Sequence, residues 1–188
     1  SKAILYSFSK SKIKLNSHKI IYNSCDFDLI SFQSTKYKQS NVRKKIKNIV
    51  MIARLDNIKD QETLLKAFAN LKESSWRLKF VGNGPNMKSL KRISRKLSLN
   101  EEEIFYGSSN NIPNILAESD IFAFSTTEAE GFGKVLIEAM AAKVPIIASD
   151  VSACREILFN GKIGILVPPK NINEWTINLK KLIKDKKK

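Results

Sequence analysis

The feature that most constrains the fold is a regular alternation of short apolar runs and longer, helix-length runs, which begins at Asn48. The short runs are rich in Val, Ile and Phe, as β-strands are. We predict strands at 49–53, 78–81, 104–106, 121–125, 145–148 and 163–167, and helices at 61–72, 87–97, 112–118, 133–142, 153–158 and 172–184. Strands that alternate with helices form a parallel sheet covered on both faces, so we predict an α/β fold, doubly wound and Rossmann-like.

Residues 1–47 lack this alternation. They are rich in Ser, Lys and Asn, and only the stretch KIIYN at 19–23 is a candidate short strand. We therefore predict that residues 1–47 form no domain of their own and that residues 48–188 form the folded domain. Asp60 and Asn86 precede two predicted helices and are expected to cap them, because their side chains can accept hydrogen bonds from the first N–H groups of a helix.

Length and composition exclude several classes of protein. With 188 residues, 43% of them hydrophobic, the chain is long enough for one well-buried core. No apolar run approaches the roughly 20 residues of a membrane-spanning helix, and the first residues lack a signal-peptide pattern, so we expect a cytoplasmic or membrane-peripheral location. Cys25, Cys154 and the single histidine, His18, have no partner motif, and we expect neither a zinc site nor a disulfide framework.

The net charge of +15 is confined to the first half of the chain. Residues 1–100 hold 22 Lys and Arg against 6 Asp and Glu, whereas residues 101–188 hold 11 against 12. The basic stretches at 36–47 and 88–96 lack the interleaved aromatic pattern of a base-stacking surface. A solvated face is therefore the favoured interpretation, attraction to an anionic membrane surface is the second, and we expect no nucleic-acid partner.

The loop that follows the first predicted strand carries two cations. In a doubly wound sheet with strand order 3-2-1-4-5-6, ligands bind at the carboxyl ends of the strands, between the first strand and the fourth. Arg54 and Lys59 lie at this end of the first strand, and a guanidinium with an ammonium suits a diphosphate. Two ordinary surface cations are the alternative. If both hold a diphosphate, we expect them to contribute to nucleotide affinity and little to folding.

The loop after the fourth predicted strand combines glycines and a carboxylate, and a helix follows it. Gly131 and Gly133 allow a close backbone approach, and the N–H groups at the start of the helix favour an anion. Glu138 lies in this otherwise apolar helix and needs donors, which either Lys134 or the adjacent hydroxyls of a ribose could provide. Glu130 lies in the turn and would reach another hydroxyl-bearing group of the same ligand. The two cations suit the phosphates of a ligand, and the two carboxylates suit its hydroxyls. Together they predict a nucleotide sugar as the ligand.

A second glycine turn, VGNGP at 81–85, follows the second predicted strand. It lacks the full GxGxxG spacing and the downstream acidic residue of a dinucleotide site, which disfavours a dehydrogenase. Close backbone approach to a nucleotide and a plain tight turn both remain open as the reason for Gly82.

From residue 19 to about 184, the sequence resembles the C-terminal, donor-binding half of the family-4 (group 1) retaining glycosyltransferases, which have the GT-B fold. EGFGKVLIEAMA at 130–141 resembles the E-x7-E signature of this family. ARLDNIKDQETLLKAF at 53–68 resembles its phosphate loop and the helix after it. The blocks VGNGP, FYG, VPIIASD, REI and NGKIGILVPP follow in the family's order, and several ordered blocks are far more specific than any one motif.

The resemblance implies a role for each matched residue. Arg54 and Lys59 would hold the diphosphate. Glu138 would hold the ribose, and Glu130 would be the catalytic residue, in contact with the hydroxyls of the donor sugar. The other donor-binding residues would be Gly82, Phe105 and Tyr106 near the base and Gly131, Phe132, Gly133, Lys134 and Val135 around the sugar and phosphates.

The resemblance also implies the chemistry. The substrate would be a nucleotide diphosphate sugar of the UDP or GDP type, and the acceptor a glycan or a lipid-linked sugar in cell-surface polysaccharide biosynthesis. Transfer with retention would proceed by front-face attack, in which the leaving phosphate helps to deprotonate the acceptor. No metal and no cofactor are implied, because the helix start and the Arg/Lys pair neutralise the phosphate charge.

Some positions depart from the family pattern, and other interpretations remain open. Lys143 and Ser24 stand where the family has glycine, and SAC at 152–154 replaces a glycine-rich turn. The family's N-terminal acceptor domain is missing, so residues 1–47 would be its end plus a hinge, and the chain alone would be inactive. A non-catalytic nucleotide-sugar-binding module is the alternative. A metal-dependent GT-A transferase, suggested by the DFD of 26–28, is disfavoured because this motif lies outside the alternation.

Overall fold

A computed structural model describes residues 1–9, 17, 19–40 and 46–185 of the chain. Its centre is a sheet of six parallel strands. In chain order the strands are β1 (Lys47–Ile52), β2 (Trp76–Val81), β3 (Phe105–Gly107), β4 (Ile121–Phe124), β5 (Ile146–Ser149) and β6 (Ile165–Val167). They lie in the order β3-β2-β1-β4-β5-β6, so the winding reverses between β1 and β4. The predicted α/β, doubly wound, Rossmann-like fold is confirmed.

Helices cover both faces of this sheet. In chain order they are α1 (Lys2–Ser9), α2 (Phe27–Ser40), α3 (Gln61–Ala69), α4 (Met87–Lys96), α5 (Glu101–Ile104), α6 (Ile112–Ala117), α7 (Lys134–Ala141), α8 (Ser152–Ile157) and α9 (Ile172–Asp185). α3, α4 and α9 share one face, α2, α6 and α7 share the other, and α1 packs on α8. Within the described ranges, no helix has the length and the apolar character that crossing a bilayer requires.

β4 shows why the strands are apolar on both faces. All four of its residues are buried. Ile121 and Ala123 join the core beneath α3 and α9, whereas Phe122 and Phe124 join the core beneath α7. Successive side chains of a strand point to opposite faces, so a strand between two helical layers needs an unbroken apolar run. Each large apolar side chain buried in this way stabilises the fold by about 1.5–3 kcal/mol.

The alternation in the sequence located the regular elements after residue 47. Each predicted strand and helix corresponds to an observed element, with ends that differ by at most three residues. The candidate strand at 19–23 is wrong, because these residues form no strand and Ile21 is 77% exposed. No strand of the described residues pairs with this stretch, and a strand without a partner is not stable.

Residues before β1 form two helices that the sequence did not indicate. The first, α1, lies on α8, and the second, α2, lies on α6 and α7. Asp26 caps α2, because its Oδ1 accepts a hydrogen bond from the N–H of Leu29 at 2.9 Å. On the buried side of α2, Ile30 joins the core and Ser34 Oγ donates to the carbonyl of Pro113 at 3.1 Å. The domain division at residue 47 stays a prediction.

The two predicted helix caps are wrong in their hydrogen bonds. Asp60 and Asn86 do precede α3 and α4, but neither side chain accepts a hydrogen bond from its helix. Oδ2 of Asp60 instead accepts from the N–H of Lys170 at 3.2 Å, and the amide of Asn86 donates to Oδ1 of Asn57 at 2.9 Å. Both side chains therefore connect loops at the carboxyl end of the sheet rather than cap helices.

Candidate functional site

The loop after β1 and the loop after β4 are joined at the carboxyl end of the sheet. Lys59 and Thr126 form an isolated antiparallel bridge. The N–H of Asp60 donates to the carbonyl of Ser125 at 3.1 Å, and the hydroxyl of Ser125 donates to the carbonyl of Asp60 at 2.7 Å. These bonds hold the two loops together at the point where the winding reverses.

An ion pair between Lys59 and Glu130 lies where these loops meet. The two side chains are only 15% and 9% exposed. Oε2 of Glu130 also accepts a hydrogen bond from the hydroxyl of Thr126 at 3.2 Å, and Oε1 accepts one from the N–H of Phe132 at 3.4 Å. The ammonium of Lys59 stands 4.7 Å from the centre of the Phe124 ring, which adds a cation–π contact. Buried charges need partners of this kind, and here each charge has them. We call Lys59, Thr126 and Glu130 the floor of the site.

Arg54 lies at the surface of the same site and has a different environment. Its Nε is 2.5 Å from Oδ2 of Asp56, and its side chain is 70% exposed. Oδ1 of Asp56 accepts hydrogen bonds from the N–H groups of Ile58 and Lys59 at 3.0 and 3.2 Å. Burial acts to raise the pKa of Asp56, but the hydrogen bonds from Arg54 and from these N–H groups bring it below its ordinary value. Asp56 thus orders the loop and orients the guanidinium. We call Arg54 and Asp56 the rim.

The start of α7 lies next to the Phe124 ring, which the ammonium of Lys59 also contacts. Gly133 precedes α7 with a φ of +82°, a left-handed conformation that favours glycine. A Cβ there would also stand 3.2 Å from a Phe124 ring carbon and 3.3 Å from Leu136. Lys134 and Val135, which were predicted from the sequence to lie near phosphate and sugar, are the first two residues of α7. The first N–H groups of a helix have no partner within it and carry a partial positive charge, which suits an anion.

Glu138 lies one turn into α7. Its side chain is 16% exposed, and its Oε1 lies 3.4 Å from Nζ of Lys134. Lys134 was one of the two donors that the sequence left open, and without a ligand it is the partner found. Because the Lys134 side chain is 55% exposed, its ammonium can turn to solvent or to a phosphate when a ligand donates to Glu138 in its place.

The turn at 81–85 owes its glycines to the chain itself. A Cβ on Gly82 would stand 2.0 Å from the carbonyl oxygen of Ala53, and one on Gly84 would stand 2.2 Å from that of Leu55. The φ of Gly82 is +140°, and its N–H donates to the carbonyl of Gly107 at 2.8 Å. The loop after β2 therefore presses against the loop after β1, which supports the shape of the site whether or not a nucleotide also touches Gly82.

The side chains of Phe105 and Tyr106, both predicted from the sequence to lie near the nucleotide base, point to different places. Phe105 points into the core, with its ring centre 5.7 Å from that of Phe80. Tyr106 is 60% exposed and lines a cavity of about 180 Å³ together with Val81 and Ser109. Neighbouring residues of a strand point to opposite faces of the sheet. Of Phe105 and Tyr106, therefore, Tyr106 is the one whose side chain lines this cavity.

A larger cavity, of about 550 Å³, opens beside Glu130. Its walls come from α1 on one side and from the turn after β4 and the start of α8 on the other; they are Ala3, Ile4, Tyr6, Glu128, Ala129, Glu130, Gly131 and Ser152. The contribution of α1 was not expected from the sequence. Nor were those of Thr126 and Asp56, although Asp and Thr side chains in loops often order the backbone through hydrogen bonds.

The structure provides no grouping of metal ligands among the described residues. No three His, Cys, Asp or Glu side chains of that part of the chain are placed to share an ion. Asp26 of the DFD stretch is the cap of α2, which gives this motif a structural reason. Burial raises the pKa of the Cys154 thiol to about 12, and Cys154 and Cys25 are both free thiols. Cys154 is thus inert at neutral pH.

Comparisons with known proteins identify relatives of this chain. The family model of the group 1 glycosyl transferases matches residues 32–188. The chain is 31% identical, over 90% of its length and 45% of the relative's, to N-acetylgalactosamine-N,N'-diacetylbacillosaminyl-diphospho-undecaprenol 4-alpha-N-acetylgalactosaminyltransferase of Campylobacter jejuni. It is 30% identical to N-acetyl-alpha-D-glucosaminyl L-malate synthase of Bacillus anthracis, over 69% of this chain and 34% of that enzyme.

Solved structures extend the likeness to three dimensions. Anabaena Alr3699/HepE in complex with UDP-glucose superposes on the whole chain with a TM-score of 0.86 and 26% identity, and the chain covers 53% of it. The C-terminal domain of a group 1 glycosyl transferase (LpcC) from Francisella tularensis gives a TM-score of 0.67 at 27% identity, with 82% of this chain and 84% of that domain covered. The chain thus spans 34% to 53% of the length of these full-length relatives.

Proposed function

Because the chain belongs to the group 1 glycosyl transferases, we propose that it is the donor-binding half of a retaining glycosyltransferase. Its donor is a nucleotide diphosphate sugar of the UDP or GDP type. The observation that carries this proposal is the floor of the site, where a cation from the loop after β1 and a carboxylate from the loop after β4 lie together in front of the start of α7. This arrangement offers positive charge to phosphates and an acceptor to sugar hydroxyls at one place.

The diphosphate lies between Lys59, Arg54 and the amino end of α7 in this proposal. A lysine ammonium has three donors, so Lys59 can turn one of them to a phosphate oxygen and keep another on Glu130. From the exposed side of the site, the guanidinium of Arg54 can donate two parallel hydrogen bonds to phosphate oxygens. The helix start contributes N–H groups and a partial positive charge.

The two glutamates contact different parts of the donor. Glu138 accepts hydrogen bonds from the ribose hydroxyls, in exchange for its pairing with the exposed ammonium of Lys134. Glu130 accepts hydrogen bonds from the donor sugar, which occupies the cavity beside it. Gly82 and Tyr106 lie toward the base, and Gly131, Phe132, Gly133, Lys134 and Val135 line the sugar and phosphates. Phe105 supports this end of the site from the core.

The proposed chemistry needs no metal ion. Charge that develops on the leaving diphosphate is stabilised by Lys59, Arg54 and the helix start, which are fixed before the donor arrives. The acceptor hydroxyl attacks the anomeric carbon of the donor sugar from the face on which the diphosphate leaves. The leaving phosphate helps to remove the proton of the hydroxyl. Because the bond forms on the face where the other breaks, the sugar keeps its anomeric configuration.

The acceptor in this proposal is a glycan or a lipid-linked sugar. Support comes from the Campylobacter jejuni relative, whose name specifies a diphospho-undecaprenol acceptor, and from HepE, which was solved with UDP-glucose. A cytoplasmic location at the membrane surface would suit such an acceptor. Four basic residues of α4 are exposed and would be attracted to anionic lipid there; they are Lys88, Arg92, Arg95 and Lys96. We expect the chain to sediment with anionic vesicles at low salt and to be released from them at high salt. A chain that does not bind the vesicles would contradict the membrane part of the proposal.

Binding tests the donor proposal. Calorimetric titration of UDP, GDP, ADP and CMP into the 188-residue chain, with and without EDTA, should give binding of UDP or GDP that EDTA leaves unchanged. Binding that disappears with EDTA would contradict metal independence. Binding of none of the four would contradict the donor site itself.

Transfer should require more than this chain. The chain spans 45% of the Campylobacter jejuni relative, and transfer needs an acceptor hydroxyl that is oriented toward the donor sugar, a task that this proposal gives to the rest of the enzyme. We expect nucleotide binding without sugar transfer in assays with lipid-linked and soluble acceptors. Robust transfer by the chain alone would show that the second half is not needed.

A further inference from the structure

The carboxylate of Glu156, in α8, holds segments that are distant in the sequence. Its Oε1 accepts a hydrogen bond from the N–H of Lys2 at 2.8 Å, and its Oε2 accepts one from the N–H of Ala3 at 3.0 Å. The hydroxyl of Tyr22 is a third donor. Burial acts to raise the pKa of Glu156, but these hydrogen bonds hold it below its ordinary value, so the group is ionised at neutral pH.

This carboxylate lies at the amino end of α1, where it has most effect. The first N–H groups of a helix have no acceptor within the helix, and a negative charge there is favoured by the helix dipole. Hydrogen bonds to an ionised acceptor are also stronger than neutral ones. Glu156 thus does from another helix what a capping side chain does locally.

The two segments that Glu156 holds also cover the turn formed by Gly131 and Phe132. Ser1 Oγ donates a hydrogen bond to the carbonyl oxygen of Gly131 at 2.7 Å. A Cβ at Gly131 would stand 3.3 Å from Cδ1 of Ile4, so that side chain lies directly on the turn. The ring of Tyr22 is centred 6.3 Å from the ring of Phe132, with a tilt of 41°.

We propose that Glu156 is a positioning residue, which fastens α1 and Tyr22 across this turn and so makes α1 one wall of the cavity beside Glu130. Ala3, Ile4 and Tyr6 supply that wall. Glu156 itself acts through α1 and the turn, not on a ligand. The ligand consequence rests on the proposed function. A ligand that extends past the diphosphate into the cavity contacts the wall, whereas a nucleoside diphosphate alone does not.

Hydrogen exchange tests the fastening without any ligand. The variants are Glu156→Ala, Glu156→Gln and Tyr22→Phe. The control is Glu103→Ala, which removes an exposed carboxylate paired with Arg77 in the α5–β2 region, near the β3 edge of the sheet. We expect exchange in peptides covering 2–9 and 130–134 to rise about tenfold in Glu156→Ala and less in Glu156→Gln, which keeps one acceptor. Tyr22→Phe should give the smallest rise, and the control none. Faster exchange in 2–9 with an unchanged turn would overturn the proposal.

A ligand comparison tests the wall. In Glu156→Ala we expect the affinity for UDP-glucose to fall about fivefold while that for UDP stays as in the unaltered chain, with partial rescue in Glu156→Gln. Equal losses for both ligands, or no loss for either, would overturn this part. If the unaltered chain binds neither ligand, the proposed function fails, and the exchange experiment still decides the fastening. If Glu156→Ala does not fold, Glu156→Gln and Tyr22→Phe carry both measurements.

Discussion

The floor and the rim of the site each contain an ion pair, and they differ in how much water reaches them. At the floor, Lys59 and Glu130 are 15% and 9% exposed, whereas at the rim Arg54 is 70% exposed above a buried Asp56. A charge that has lost most of its water depends on its partner, and an exposed charge does not. Both charges of the floor pair are shielded from water, whereas only the carboxylate of the rim is, so removal of the floor cation should cost more stability than removal of the rim cation.

Removal of the floor cation should have the largest effect. Lys59→Ala leaves the carboxylate of Glu130 buried, with only Thr126 and the N–H of Phe132 as donors. We expect the free energy of unfolding to fall by roughly 3 kcal/mol, the low end of the range for breaking a buried pair. Urea denaturation measures it. This revises the expectation from sequence, which gave Lys59 little part in folding.

A double variant distinguishes the ion pair from lost packing. Glu130→Gln removes the stranded charge, so Lys59→Ala combined with Glu130→Gln should be destabilised by less than the sum of the two single changes. Additive losses, or a loss in Lys59→Ala below about 0.5 kcal/mol, would mean that the floor pair contributes no more than a surface pair.

Removal of the rim cation should affect binding more than folding. Arg54→Ala should weaken UDP binding by about 1–3 kcal/mol, the loss of a charged hydrogen bond. Its free energy of unfolding should fall by about 1 kcal/mol, less than in Lys59→Ala, because the buried carboxylate of Asp56 loses one donor but keeps the N–H groups of Ile58 and Lys59. Calorimetry and urea denaturation measure the two quantities. Arg77→Ala is the control, because Arg77 is also an exposed, paired arginine but lies in β2, away from the site. A loss of stability in Arg54→Ala as large as that in Lys59→Ala would erase the difference between floor and rim.

Acid should loosen the rim, with a smaller effect. The pKa of Asp56 is lower in the folded chain than its ordinary value, so its stabilising effect is present above the unfolded pKa, about 4, and is lost as the pH falls through the folded pKa. We expect the stability difference between the unaltered chain and Asp56→Asn to be constant at neutral pH and to shrink below about pH 4. A difference that does not change with pH would show that ionised Asp56 does not order the loop.

The sequence predicted the fold well where its elements are periodic. β4 is apolar throughout because both of its faces are buried, and that run is visible without a structure. α2 has no such signal, because a serine, Ser34, faces the neighbouring helix and Phe32 faces solvent. Its position is set by contacts with α6 and α7 that lie far along the chain, and local pattern cannot show them.

The site was predicted only to the level of its loops. The strand order brings the loops of Lys59 and Glu130 together, and the topological rule foresees this. That the two side chains pair with each other depends on the bridge between Lys59 and Thr126, which spans distant parts of the chain. The glycine of the turn after β2 was recognised, but its reason, contact with the Ala53 carbonyl, is tertiary.

The two glutamates provide the most direct test of the account, because it assigns them to different ends of one ligand. UDP and UDP-glucose, with GDP and GDP-mannose in parallel, are titrated calorimetrically into Glu130→Gln and Glu138→Gln. Glu138→Gln should weaken the diphosphate and the sugar nucleotide alike. Glu130→Gln should leave diphosphate affinity intact, since Lys59 stays free to bind phosphate, and weaken only the sugar nucleotide. Equal losses of diphosphate affinity in the two variants would contradict the assignment of sugar to Glu130 and ribose to Glu138.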